Sequence, residues 1–345
     1  MPQEGDNMAT IKDISNKCGV SPATVSKALN GYTDVSKETV ELIRRTADEM
    51  HYMPNAAARL LKTNISHNIG VLFVDDSHCG LTHEYFSRIL NSAKEEAESR
   101  GYDITFISQY INGQAVSFLE HCRYHRCDGV LIACVNFESD AVKELVSSGI
   151  PVVTIDYTFD GTSCVLSDNE EGAYTLTSGL LDHGHSHIAF IYGEDSAVTD
   201  KRLRGYRKAL EDHGVPVNDD YIIQGRYHDP ELSRSCTAKL LALSTPPTAI
   251  MYPDDFSSLG GVAEIKEENL SVPEDISVTG YDGISLSEVL VPQLTTWRQN
   301  TDQIGRRSVQ KLISIIEDRE NSKAETISVA GELFNGYSVS SHGSK

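Results

Sequence analysis

Val20-Ser21-Pro22-Ala23-Thr24-Val25-Ser26-Lys27-Ala28-Leu29-Asn30 is the stretch on which the reading of this 345-residue chain turns. Ser21 is a good N-cap, because its hydroxyl can accept from a first-turn amide, and Pro22 at the first helical position has φ preset. Val25, Ala28 and Leu29 then share one face, and Asn30-Gly31 ends the helix. Upstream, Thr10 and Asp13 form a capping box that opens an earlier helix, with Ile11, Ile14 and Cys18 on one side and Gly19 as the break. Downstream, a third helix begins after Ser36 and carries Val40, Ile43, Ala47 and Met50 on one stripe. Three short helices with a four-residue turn between the first two form the helix-turn-helix layout. Taken alone, they also suit a protein-interaction module.

In the helix-turn-helix layout the second helix enters a DNA major groove by its N-terminal half, which here presents Pro22, Ala23, Thr24 and Lys27 outward. A lysine donates to a guanine edge, whereas Ala23 and Thr24 offer small apolar surfaces to a thymine methyl. Thr10, Ser26 and Asn30 are placed to bond phosphates, which positions a head without reading bases. Charge agrees once it is followed along the chain. The net charge of −20 opposes a polyanionic partner, yet residues 8–62 hold eight Lys/Arg against six Asp/Glu. The head is mildly basic and the excess acid lies beyond it. After Tyr52-Met53-Pro54-Asn55 stops the third helix, Ala56-Ala57-Ala58-Arg59-Leu60-Leu61-Lys62 is helix-prone but too short to hold alone. It is expected to order only when packed, for instance against its twin in a minor groove, where a leucine can wedge between base steps.

Beyond residue 66 the pattern changes. Apolar runs at 69–74, 103–107, 129–135 and 151–155 alternate with helical stretches, the first of which carries Phe86, Ile89, Leu90, Ala93 and Ala97 inward. A second series begins after Asp168, with helices at 171–181, 202–212, 232–243 and 256–269 between strands at 187–192, 221–224, 249–252 and 276–281. Such alternation implies parallel sheets covered by helices on both faces, and two series imply two lobes facing across a cleft. Ligands bind beyond the carboxyl ends of such strands. Asp75, Asp156, Asp254 and Asp282 stand there, and Tyr85, Phe86 and Tyr227 can stack on a sugar ring. Any one of these aspartates is as readily a helix cap; several converging make a binding site. Asp255 reads as the cap of the helix that follows it. An acidic cleft with aromatics favours a neutral sugar over a phosphorylated one or a nucleobase.

Residues 8–62, above all Ala9-Thr10-Ile11-Lys12-Asp13-Ile14, the stretch 20–30 and Tyr52-Met53-Pro54-Asn55-Ala56-Ala57-Ala58-Arg59-Leu60-Leu61, resemble the LacI/GalR (lactose-repressor/galactose-repressor) family. The likeness continues through nearly the whole chain. It implies an all-α helix-turn-helix head on an α/β sensor of two doubly wound parallel sheets, built like a periplasmic sugar-binding protein. It puts base reading on Ala23, Thr24 and Lys27. It makes Leu61 the minor-groove wedge, flanked by Ala58 and Lys62, with Asn55 in the same DNA-contacting segment. Arg202, in Arg202-Leu203-Arg204-Gly205-Tyr206, matches a ligand-gripping arginine, and Asp156, Asp254 and Asp282 match ligand positions. The expected division is 8–54 head, 55–66 hinge helix and linker, 67–167 with 298–326 first lobe, and 168–297 with 327–340 second lobe. Expected partners are a palindromic operator DNA, a small-molecule effector, and a second copy of the chain, as a homodimer or a tetramer of two such pairs. No cofactor and no membrane partner is expected.

Composition narrows the alternatives. With 39% hydrophobic and 23% charged residues, and no apolar run near the roughly 18 residues of a membrane span, the chain is that of a soluble protein. The opening residues are polar and acidic, unlike a secretory signal, so a cytoplasmic location is expected. Seven scattered cysteines without a Cys-x-x-Cys pair suit reduced thiols. His121, Cys122, His125 and Cys127 lie at a helix end and match no closed zinc pattern, while His183, His185 and His187 fill a polar turn. An enzyme is disfavoured, since Gly-x-Gly-x-x-Gly, a phosphate-loop lysine motif and Gly-x-Ser-x-Gly are all lacking. A solute-uptake protein would carry an export signal and no DNA-binding head.

Overall fold

A computed structural model of the chain describes residues 9–29, 32–52, 65–74 and 80–343. They divide between two compact units, Met1–Ser66 and His67–Lys345.

The first unit holds α1 (Ile11–Cys18), α2 (Pro22–Leu29) and α3 (Lys37–Glu49). The capping box of α1 forms in both directions: Asp13 N donates to Thr10 Oγ1 at 3.3 Å, and Thr10 N donates to the Asp13 carboxylate at 2.9 Å. The turn is three residues, Gly19-Val20-Ser21, one shorter than expected, because Pro22 already lies in α2. Gly19 takes φ +66°, which glycine adopts without a Cβ clash. The Ser15 hydroxyl donates to the Val20 carbonyl at 2.6 Å and pins the turn to α1. Ile14, Val25, Ala28 and Ile43 are fully buried together, with Ala47 nearly so. Three faces read from spacing thus meet in one small core.

The second unit runs β1 (Asn68–Phe73), α4 (Glu84–Ser99), β2 (Asp103–Phe106), a hairpin of β3 (Tyr110–Ile111) and β4 (Gln114–Ala115), and α5 (Phe118–Tyr124). It continues with β5 (Gly129–Ala133), α6 (Asp140–Ser147), β6 (Val152–Ile155) and β7 (Ser163–Ser167). Next come α7 (Asn169–Asp182), β8 (Ile188–Tyr192), α8 (Ala197–Asp212), β9 (Ile222–Gln224) and α9 (Pro230–Leu241). Then follow β10 (Ala249–Met251), α10 (Ser258–Glu267), β11 (Ser277–Asp282) and α11 (Ser285–Val289). The chain closes with β12 (Thr295–Arg298), α12 (Thr301–Glu317), β13 (Thr326–Val329) and β14 (Glu332–Phe334).

One sheet has the order β13-β7-β6-β5-β1-β2, every pair parallel. The other has the order β14-β12-β11-β10-β8-β9, parallel except where β14 runs against β12. Strands β5, β6 and β10 are buried along their whole length, as continuous apolar runs in a doubly covered sheet must be. On the first sheet, α4 and α12 bury Ile89, Ala93, Ile304 and Leu312 on one face, while α5 and α6 bury Phe118, Leu119, Val142 and Leu145 on the other. The second sheet is covered by α7 and α8 on one side and by α9 and α10 on the other. At Gly260, α10 approaches α9 so closely that a Cβ would collide with the Pro230 carbonyl oxygen.

The structure corrects the expected lobe boundaries. Arg298 ends β12 and belongs to the second sheet, and Ile327-Ser328-Val329, expected in the second lobe, pairs with β7 in the first. The chain therefore crosses between lobes at 168, at 299–300 and at 330–331. A Thr-Ile-Ser-Val run can join either sheet; docking of α12 on the first one decides which edge is near. Helix α8 begins at Ala197 rather than 202, capped by Ser196, whose hydroxyl accepts from Thr199 N at 3.1 Å. Among the described residues, no helix is long and apolar enough to cross a membrane.

Candidate effector cleft and DNA-reading helix

The carboxyl ends of both sheets border a cleft of about 530 Å³. Tyr85, Phe86, Asp156, Arg202, Tyr227, Asp254 and Asp282, which the sequence singled out, all line it. Asp75 lies outside the described residues.

The floor of the cleft is a closed ring of polar contacts that passes through both lobes. Asp156, at the end of β6, accepts from Ser167 N at 2.7 Å and from Asn169 Nδ2 at 3.4 Å. The other end of the Asn169 amide accepts from Arg202 Nε at 2.8 Å. Arg202 donates through Nη1 to the Pro253 carbonyl at 2.8 Å and places Nη2 3.7 Å from Asp282 Oδ1. Asp282 accepts from Gln299 Nε2 at 2.6 Å, and Gln299 Oε1 accepts from the Tyr85 hydroxyl at 3.2 Å. Tyr85 lies 3.4 Å from Asp156 Oδ2 and closes the ring. Arg202 is only 4% exposed, and its guanidinium sits 3.5 Å from the Tyr281 ring centroid. The arginine expected to grip a ligand is thus first a strut that holds Asn169 and Asp282.

Burial disfavours charge here. It raises Asp156 above the ordinary carboxylate range and lifts Asp282 to about 6, against the pull of Arg202. Both aspartates stand in the left-handed region, at φ +57° and φ +97°, a conformation kept only where surrounding bonds hold it.

Asp254 keeps its expected place in the cleft and also takes the capping part expected of Asp255. Asp254 Oδ1 accepts from Ser257 N at 2.7 Å, and Oδ2 from the Ser257 hydroxyl at 2.8 Å and His228 N at 2.7 Å, so it caps the turn before α10 while lining the cleft. Asp255, expected to be the cap, accepts from the Thr296 hydroxyl at 2.6 Å and Ile284 N at 2.8 Å and ties β12 to the end of β11. Fully buried, it is pushed well above the usual range. Adjacent aspartates are alike in sequence; only the direction of the chain after β10 separates them.

The walls are aromatic, and several members were missed. Phe137 and Tyr157 stack in parallel with centroids 4.4 Å apart. His83, from the first lobe, stacks on His228 of the second at 4.3 Å, and His228 on Phe256 at 4.1 Å. The ring of Tyr227 lies where a side chain on Gly193 would be, and its hydroxyl sits 2.9 Å from that of Thr199. Tyr157 comes two residues after β6 and Phe137 four residues after β5, so the rule that selected Asp156 reaches Tyr157 and, with a slightly wider window, Phe137. Asn169 comes two residues after β7 and Gln299 directly after β12, but neither strand is among the apolar runs read from the sequence, so the strand-end rule had nothing to mark there.

In the head, Pro22, Ala23 and Lys27 are exposed along α2, and Thr24 and Ser26 are half-buried. The Thr24 hydroxyl lies 2.8 Å from that of Ser21 in the cap, and Lys27 is hydrogen-bonded to Asp34. Thr10 is committed to the capping box of α1, its hydroxyl donating to Asp13 at 2.6 Å. Asn30, Asn55, Ala58, Leu61 and Lys62 lie outside the described residues. Among the described residues no three His, Cys, Asp or Glu side chains converge as a metal site.

A helix-turn-helix unit joined to a two-lobed receptor cleft defines a DNA-binding regulator rather than an enzyme. Comparison with known families gives the particular one. Residues 10–55 match the family model "Bacterial regulatory proteins, lacI family", and residues 66–334 match "Periplasmic binding proteins and sugar binding domain of LacI family". The chain is 34% identical over 97% of its length to the HTH-type transcriptional repressor PurR of Pasteurella multocida (strain Pm70), spanning 99% of that protein. The PurR of Haemophilus influenzae (strain ATCC 51907 / DSM 11121 / KW20 / Rd) is 32% identical over 97% of this chain and 99% of its own. Among solved structures, the lac repressor dimer bound to operator and the anti-inducer ONPF is similar at a TM-score of 0.77 and 25% identity, covering 96% of this chain and 99% of that one. The chain belongs to the LacI family and is a DNA-binding transcriptional repressor.

Proposed function

We propose that this repressor works as a homodimer on a palindromic operator, and that a neutral sugar in the cleft controls its hold on DNA. The observation that carries the control is the polar ring Asp156, Asn169, Arg202, Asp282, Gln299 and Tyr85, which joins the lobes at the floor of the cleft. A ligand that bonds to Asp156 or Asp282 competes for the same contacts that set the lobe angle, so it has different interaction energies with open and closed states, as any switch requires.

Sugar is favoured by two features. Carboxylates at Asp156, Asp254 and Asp282 accept vicinal hydroxyls, while Phe86, Phe137 and Tyr157 offer ring faces to the apolar side of a pyranose. Glu138, Glu194 and Asp195 at the same cleft repel phosphorylated or anionic ligands. The sensor region also matches a family model described as a sugar-binding domain.

Leu61, with Asn55, Ala58 and Lys62, is assigned to the minor groove of an operator bent by two copies of the hinge segment. Pro22, Ala23, Thr24 and Lys27 take the major groove, and Ser26 and Asn30 the phosphates, while Thr10, whose two donors go to Asp13, sets the start of α1.

The test is a thermal-shift panel of neutral sugars, sugar phosphates and purine bases, followed by operator titration with each compound that binds. Linkage requires the effector to change operator affinity by the same factor as operator changes effector affinity, about 5- to 150-fold for a coupling of roughly 1–3 kcal/mol. Binding confined to purines or phosphates rejects the sugar. A sugar that binds and leaves operator affinity unchanged rejects the control.

A further inference from the structure

Helix α5 ends in a cap that places two cysteines side by side. Arg126 takes φ +52°, and Cys127 N donates to the Cys122 carbonyl at 2.9 Å while Arg126 N donates to that of Arg123 at 3.1 Å. This pattern turns the chain back on the last helical turn and brings the first and sixth side chains into contact. Elsewhere that contact is between two apolar groups; here both are thiols. Cys122 is fully buried among Phe118, Leu119 and Val130. Cys127 is half-buried, rests 3.3 Å from where a Cβ on Gly70 of β1 would stand, and accepts from Asn68 Nδ2 at 3.8 Å.

We propose that Cys122 and Cys127 form a reversible disulfide when the protein meets a peroxide, welding the end of α5 to the segment that enters β5. The two thiols are not equivalent. The interaction between the two thiols holds Cys127 below the ordinary thiol range, and the same interaction together with burial holds Cys122 above it. Cys127 is also the more exposed of the two. The Cys127 thiolate attacks the peroxide, forming a sulfenic acid and releasing water once the leaving hydroxide takes a proton. Cys122 sulfur then displaces the sulfenic oxygen as a second water, so two thiols and one hydrogen peroxide give one disulfide and two waters. A cap that already holds the two residues together needs little backbone movement to meet disulfide geometry. Nothing in this chemistry uses the effector cleft, so it stands apart from the sugar proposal.

The full-length protein offers a direct test, because Arg123 and Arg126 lie between the two cysteines and trypsin cuts after both. After hydrogen peroxide and alkylation of remaining thiols, a non-reducing digest should hold the Cys122 and Cys127 peptides as one linked species that dithiothreitol separates. In Cys122→Ser, Cys127 should be trapped by dimedone as a sulfenic acid; in Cys127→Ser, Cys122 should stay reduced at the same peroxide dose. Complete alkylation of both cysteines in the treated wild type overturns the proposal, as does linkage of either one to Cys134 instead.

Discussion

The two lobes meet at one cleft but supply different materials to it. The first lobe brings rings, Tyr85, Phe86, Phe137 and Tyr157, and one buried carboxylate, Asp156, held mainly by a backbone amide. The second brings Arg202, Asp254 and Asp282, each bonded to other side chains or to loop backbone. Apolar surface acts by area, so its losses are graded and local. Buried charges act as a set, because removing one leaves its partner desolvated and unpaired. The first lobe should therefore tune affinity, and the second should hold the fold and the switch together.

The largest effect expected is from Arg202→Ala. It strands Asp282 and Asn169 in a buried site and should cost about 3–5 kcal/mol of stability by chemical denaturation. A loss under about 1 kcal/mol would remove the contrast between the lobes.

The charge of Asp282 gives a pH test with a definite sign. The unfolded chain releases this proton near 3.8 and the folded chain near 6, so between those values the folded state binds more protons. The site's contribution is fully present below 3.8 and is lost as pH rises through about 6. Denaturation from about pH 4 to pH 7 should cost the wild type up to about 3 kcal/mol relative to Asp282→Asn. Parallel curves would show that the carboxylate is not held against its charge.

Gln299→Leu is expected to be milder. It removes an acceptor from the Tyr85 hydroxyl and a donor from Asp282, at about 1–3 kcal/mol. A double-mutant cycle with Tyr85→Phe should give a non-zero coupling, and strict additivity would break the ring into separate bonds.

The smallest stability change belongs to the first lobe. Tyr157→Ala should lower sugar affinity roughly tenfold, about 1.4 kcal/mol, while operator affinity without sugar stays unchanged. Equal damage to stability would mean that the aromatic wall is core rather than a binding surface.

The sequence by itself determined the three helices of the head, the succession of strands and helices, and part of the cleft. Caps, breaks and apolar spacing act between residues three or four apart, so Thr10 with Asp13, Ser21 with Pro22, and the faces of α1, α2 and α3 carry their own evidence. The strand-end rule is local too, and it found Asp156, Arg202's neighbours Asp254 and Asp282, and Tyr227. Tertiary structure decided the rest. Which sheet receives β13, which of Asp254 and Asp255 caps a helix, and the joining of Asn169 and Gln299 to the carboxylates all depend on non-local meetings, from Asn169 with Asp156, 13 positions apart, to Gln299 with Tyr85, 214 apart. No periodicity records that meeting, because a polar side chain in a connecting segment looks the same whether it faces water or closes a buried ring.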